Sequence, residues 1–95
     1  MIVNDFAYSD VYFEKNKPPS LLASDKNLKH SVELYSLTKG YSMAGWRVGF
    51  AVGNSDAVGA LTKLKSYIDY GTFQPIQIAS TVALNELDDY PFELS

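Results

Sequence analysis

Residues 36–50 read SLTKGYSMAGWRVGF, and within them Lys39 stands among Ser36, Thr38 and Gly40. Arg47, the single arginine of the chain, follows eight positions later. A lysine that attacks an aldehyde needs a free, partly desolvated amine with no carboxylate close in sequence to hold it. Lys39, where a strand pattern gives way to a glycine turn, meets both conditions. A phosphate partner requires donors, and a guanidinium supplies a charged planar fork while hydroxyls supply short neutral bonds. Arg47, Ser36 and Thr38 are the candidates for that cup.

Upstream, Asp5 closes a short apolar run and Tyr8 comes three residues later. A carboxylate there suits a cationic ring nitrogen, and a phenol suits the ring's own oxygen. An amine, a phosphate cup and an anion for a pyridinium together describe the needs of pyridoxal 5'-phosphate, whose protonated ring acts as an electron sink.

These residues must be brought together by the elements that carry them. Ile2-Val3 reads as a short buried strand delivering Asp5 at its C-terminal end. SDVYF suggests a helical turn, EKNKPPS a loop, Leu21-Leu22 a short apolar patch and DKNLKH a turn or short helix. SVELYSL alternates Val32, Leu34 and Ser36 against Glu33, Tyr35 and Leu37, as a strand does. KGYSMAG reads as a turn, and Trp46 to Val52 as a further strand ended by Gly53-Asn54. Ser55 is the expected N-cap of a helix with Asp56 in its first turn. Its apolar stripe is Ala57, Ala60, Leu61, Leu64, Tyr67 and Ile68, with Gly71 ending it. Pro75 opens a second helix over PIQIASTVALNEL. The fold class expected is α/β: three strands then two helices, forming one edge of a larger sheet whose strand ends gather a ligand.

Composition narrows the alternatives. The net charge of −3, with both signs dispersed, gives no footprint for nucleic acid or an anionic membrane surface. No cysteine and one histidine leave no thiolate or histidine metal site, and no metal is expected. No apolar run reaches membrane-spanning length and no secretion signal is visible, so the cytoplasm is the default compartment. His30 reads as a solvated loop residue and Trp46 as packing. The Leu61, Leu64 and Ile68 stripe reads as core or interdomain packing, with Tyr67 and Tyr70 as candidate interface.

The motif SLTKGYSMAGWRVGF resembles the cofactor-lysine signature of fold-type I pyridoxal-phosphate-dependent aminotransferases of class I/II. DFAY, residues 5–8, is similar to that family's aspartate-x-alanine-tyrosine element. The phrases AYSDVYF, MAGWRVGFAVGN and LKSYIDYGTFQPIQIA are similar to the alanine and LL-diaminopimelate aminotransferase subgroup, so the resemblance runs through nearly the whole chain. It implies that Lys39 forms the Schiff base with pyridoxal 5'-phosphate and shuttles the substrate proton. It further implies that Asp5 holds the pyridinium, Tyr8 touches the ring oxygen, and Ser36 with Arg47 holds phosphate. Thr38 stands where the family often has serine.

Family members are several times longer, and their glycine-containing phosphate loop, ring-stacking aromatic, asparagine and carboxylate-binding arginine have no counterparts here. The expectation is therefore that residues 1–95 are a central portion of the cofactor-binding large domain, with both ends cut. The segment alone should be inactive. The full-length parent is expected to be a homodimer acting on amino-acid and 2-oxo-acid substrates. A lyase or synthase of the same fold, or a non-catalytic aminotransferase-like module of a regulator, would share these elements.

Overall fold

The middle strand buries a carboxylate where a sheet face ordinarily takes an apolar side chain, and much of the fold is tied to it. The computed structural model describes residues 1–13 and 15–94. Of the loop read over EKNKPPS, Glu14 lies outside the described residues. Strands β1 (Ile2–Asp5), β2 (Ser31–Ser36) and β3 (Gly49–Gly53) form one sheet in the order β1-β2-β3. β1 runs parallel to β2, with Asp5 opposite Leu34. β3 runs antiparallel to β2, with Ser36 opposite Gly49. This is the mixed α/β sheet expected, with its strands preceding the two long helices.

Side chains alternate across a pleated sheet, so the register sorts them by face. Asn4, Glu33, Tyr35, Phe50 and Val52 share one face; Asp5, Leu34, Ser36 and Ala51 share the other. Glu33 is buried on the first face and accepts three hydrogen bonds. Its Oε2 takes Asn4 Nδ2 at 3.0 Å and the Leu21 N–H at 2.8 Å, and its Oε1 takes Ser20 Oγ at 2.8 Å. One carboxylate thus fastens β1 and the returning connection to β2. A buried charge is tolerable when its lone pairs are filled in this way.

Helix α1 (Leu37–Gly40) is a single turn directly after β2. Helices α2 (Ser55–Ile68), α3 (Gln74–Glu86) and α4 (Tyr90–Leu94) follow β3. Pro75 lies in the opening turn of α3, as expected. Several local expectations are corrected. The cap of α2 is Asn54 rather than Ser55: its Oδ1 accepts the Ala57 N–H at 3.0 Å while its Nδ2 donates to the Lys29 carbonyl at 2.9 Å. An amide can do both, which ties the helix to the loop before β2. Trp46 is not in a strand. Residues 44–46 form a 3₁₀ turn, and Arg47, at φ 51°, is left-handed and cannot propagate extended chain. Residues 6–11 form two tight turns instead of a helical one over SDVYF. The terminal DDYPFEL contains α4, which the pattern did not suggest.

The apolar faces also differ from expectation. Ile2 and Val3 are 57% and 60% exposed, because β1 is an edge strand in this sheet. The α2 stripe is exposed too, with no buried residue in that helix. Among the described residues the buried apolar side chains are Val32, Leu37, Ala83 and Pro91. No helix among the described residues is long and apolar enough to cross a membrane.

Two predictions follow from the tied loops. Glu33→Ala strands the Asn4, Ser20 and Leu21 donors and should cost about 2–4 kcal/mol, read as a lowered denaturant midpoint. Asp25 accepts from the Lys29 N–H at 3.2 Å, the His30 N–H at 2.7 Å and Ser31 Oγ at 2.7 Å. The His30 hydrogen bond first, then that of Ser31, holds its carboxyl below the ordinary value of 3.8. A lowered folded-state pKa gives stability that is complete above 3.8 and lost as pH falls through the lower value. Protection of the His30 amide from hydrogen exchange should fall over that acid range in the native chain, and Asp25→Ala should abolish the dependence.

Candidate active site

Parallel pairing brings the ends of β1 and β2 to one edge of the sheet, and antiparallel pairing brings the start of β3 to the same edge. The Phe6 N–H donates to the Leu34 carbonyl at 2.9 Å, extending β1 beside β2. The Leu37 N–H donates to the Val48 carbonyl at 3.3 Å, which joins α1 to the approach to β3. All six candidate residues, Asp5, Tyr8, Ser36, Thr38, Lys39 and Arg47, therefore leave the sheet from this edge.

Each is positioned by its own local chemistry. Asp5 ends β1, is exposed, and makes no hydrogen bond or ion pair among the described residues. Tyr8 sits in the tight turns that follow, where its carbonyl accepts the Val11 N–H at 3.1 Å. Ser36 is the last residue of β2 and caps α1, its Oγ accepting the Thr38 N–H at 3.2 Å. A hydroxyl that accepts a cap bond still has its proton to donate. Thr38 contributes that N–H, while its own hydroxyl has no hydrogen-bond partner among the described residues.

Lys39 lies in α1 and is exposed, so the strand-to-turn position read from the sequence is a helical turn in the structure. Its Nζ lies 5.3 Å from the centroid of the Tyr8 ring. A cation at that distance is attracted by the ring's quadrupole. The amine makes no ion pair or hydrogen bond among the described residues, so no carboxylate competes for it. Arg47 donates from Nη1 to the Ala44 carbonyl at 3.2 Å, leaving most of its fork free. Its left-handed backbone is a conformation that a non-glycine residue adopts at a cost of about 1–2 kcal/mol.

Gly49 anchors the arm that carries Arg47. A Cβ at that position would meet the Tyr35 carbonyl at 2.3 Å, so β3 reaches β2 only because residue 49 has no side chain. A groove of about 640 Å³ opens on the opposite face, over Glu33, Tyr35, Phe50 and Val52, and none of the six residues lines it. The candidate residues thus lie at the strand ends and outside that groove.

The donor set fits an anionic ligand bearing an aldehyde and a ring nitrogen. Among the described residues, those that bear an unpaired amine, an unpaired carboxylate, a guanidinium with free donors and a serine proton leave the sheet at one edge. Sequence reading did not find the residues behind this edge. Tyr35 donates its hydroxyl to Asp10 Oδ2, and Asp10 Oδ1 pairs with Lys17 Nζ at 3.2 Å. Asp10 and Tyr35 are 25 positions apart, and although Asp10 lies within the phrase AYSDVYF, nothing in that phrase pointed to Tyr35. Only the alternation that places Tyr35 beside Glu33 hinted at its face.

Known proteins resemble this chain along nearly its whole length. The chain is 46% identical over 95 residues to LL-diaminopimelate aminotransferase of Nitratidesulfovibrio vulgaris (strain DP4), covering 99% of this chain and 24% of that protein. It is 46% identical over 84 residues to glutamate-pyruvate aminotransferase AlaC of Escherichia coli (strain K12), covering 88% of this chain and 20% of that one. The structure of an aminotransferase from Staphylococcus aureus superposes with a TM-score of 0.90 at 47% identity, over 98% of this chain and 24% of that chain. The chain thus spans about a quarter of the length of these relatives. Residues 1–93 match the family model described as aminotransferase class I and II, and with the sheet, the lysine turn and the relatives in agreement, the chain belongs to that family.

Proposed function

We propose that this chain is the part of an aminotransferase large domain that carries the cofactor lysine, and that the cofactor is pyridoxal 5'-phosphate. One observation carries the reading: a single sheet edge gathers an uncompeted lysine amine, an uncompeted carboxylate and a guanidinium with free donors. When bound, the cofactor supplies an electron sink for the substrate's α-carbon. Asp5 holds a proton on the pyridine nitrogen by its negative charge. Tyr8 orients toward the ring oxygen. Ser36 donates its hydroxyl proton to phosphate, Thr38 adds its own hydroxyl, and Arg47 offers a planar fork. The Lys39 amine tethers the aldehyde carbon and afterwards takes and returns the proton of the substrate α-carbon.

The reaction class proposed is transfer of an amino group between an amino acid and a 2-oxo acid. The relatives named for glutamate and pyruvate and for LL-diaminopimelate support transfer over elimination. The exposed faces of β1 and α2 are the surfaces that the rest of a large domain would cover, which supports reading residues 1–95 as part of one. In the full-length protein, proposed to be a homodimer, residues beyond this chain complete the substrate site. The segment by itself is proposed to have negligible activity.

Borohydride treatment of the full-length protein with cofactor tests this directly. Reduction should fix the cofactor covalently to the Lys39 peptide, and Lys39→Ala should remove the label and lower turnover at least ~10²-fold. Labelling of another lysine, or undiminished turnover by Lys39→Ala, would refute the assignment. Arg47→Lys keeps the charge but loses the fork, and should weaken cofactor binding roughly 10- to 100-fold in an equilibrium titration.

A further inference from the structure

Behind the lysine turn, three segments distant in sequence meet at one hydrogen bond. The turn bearing Tyr8 is closed by the Ser9 N–H on the Phe6 carbonyl at 3.1 Å. Ser9 is buried, and its Oγ donates to Asp10 Oδ2 at 3.2 Å. The same oxygen takes the Tyr35 hydroxyl of β2. Gly40, the residue after Lys39, is buried against this pair, for a Cβ there would lie 3.1 Å from Asp10 Oδ2 and 3.2 Å from the Tyr35 hydroxyl. Tyr35 is itself held by stacking on Phe50 of β3, with ring centroids 4.9 Å apart.

We propose that Asp10 and Tyr35 are positioning residues that lock the Tyr8 turn against α1 and so set where the Tyr8 phenol stands relative to the Lys39 amine. Only Ser9 stands between Asp10 and Tyr8 on one side of the lock, and Gly40 directly follows Lys39 on the other. Movement at the lock is therefore transmitted to both groups at short range, and the 5.3 Å separation of Nζ from the ring is its output. Burial first, then the bond to Asp10, raises the Tyr35 hydroxyl well above the ordinary tyrosine value, so it remains a donor throughout the working range. The salt bridge from Lys17 balances the carboxylate from the solvent side. No step of the reaction passes through either residue; their effect is exerted through Tyr8.

This inference rests on the pyridoxal-phosphate reading above, and the test separates the two. In the full-length holoenzyme the readout is the pH midpoint of the bound cofactor's visible absorbance. A phenol donating to the ring oxygen stabilises its anionic form, so Tyr8→Phe should raise the midpoint. Tyr35→Phe should raise it in the same direction, by about 0.3–0.5 pH unit, as expected for a weakened neighbouring hydrogen bond. In a Tyr8→Phe background the added shift from Tyr35→Phe should vanish, since residues acting through one another are not additive. Gly40→Ala, which wedges a methyl into the Asp10–Tyr35 pair, should reproduce the shift and its disappearance, and it stands in if Tyr35→Phe fails to fold. A midpoint unmoved by either substitution, or moved equally with and without Tyr8, overturns the positioning role. Failure of borohydride to attach cofactor to the unsubstituted protein overturns both readings.

Discussion

The parallel pairing of β1 with β2 is the constraint on which the remaining geometry depends. Two strands running the same way must end at the same edge, and here they end at a carboxylate and at a lysine turn. Parallel neighbours cannot be joined by a tight hairpin, so the chain must travel out and back between them. In this protein the described residues between β1 and β2 make that journey with one short 3₁₀ turn, Leu21–Ala23, and no long helix among them. The buried Glu33 carboxylate substitutes for the packing a crossover helix would provide, by holding Asn4 from β1 and Ser20 and Leu21 from the return. That clasp reinforces the strand pairing that sets Asp5 beside the end of β2.

The segments that carry the candidate residues were legible from sequence because they lie near strand ends, in short runs with strong local signals. Lys39 with Ser36 and Arg47, and Asp5 with Tyr8, each form a compact motif, and the strands that carry them alternate cleanly. What the sequence concealed has two physical origins. Left-handed Arg47 and the Asn54 cap are decided by hydrogen bonds that compete closely with the neighbouring alternatives, so boundaries shifted by one to three residues. The Asp10–Tyr35 contact is a tertiary event between residues with no shared periodicity. Burial was misjudged for Ile2 and Val3 because an apolar pattern reports a need for cover and not which element supplies it.

The distribution of apolar surface carries a related lesson. A chain with this hydrophobic content normally hides most of its large side chains, yet Tyr67 and Ile68 on α2 and Phe73 beyond it stand well exposed while Val32, Leu37 and Ala83 are buried. The sheet edge that holds the polar groups is nonetheless well ordered by backbone and side-chain bonds. Local hydrogen bonding thus shapes the site, whereas hydrophobic cover would set how stable it is.

Gly49 gives the arrangement a mechanical character. Because its bare backbone rests almost on the Tyr35 carbonyl, β3 and β2 behave as two bars pinned together at the end nearest the lysine. The guanidinium arm and the amine arm both leave the sheet at that pin. Any ligand gripping both arms would meet a fixed span, and would be selected by its length between aldehyde and phosphate as much as by its charge.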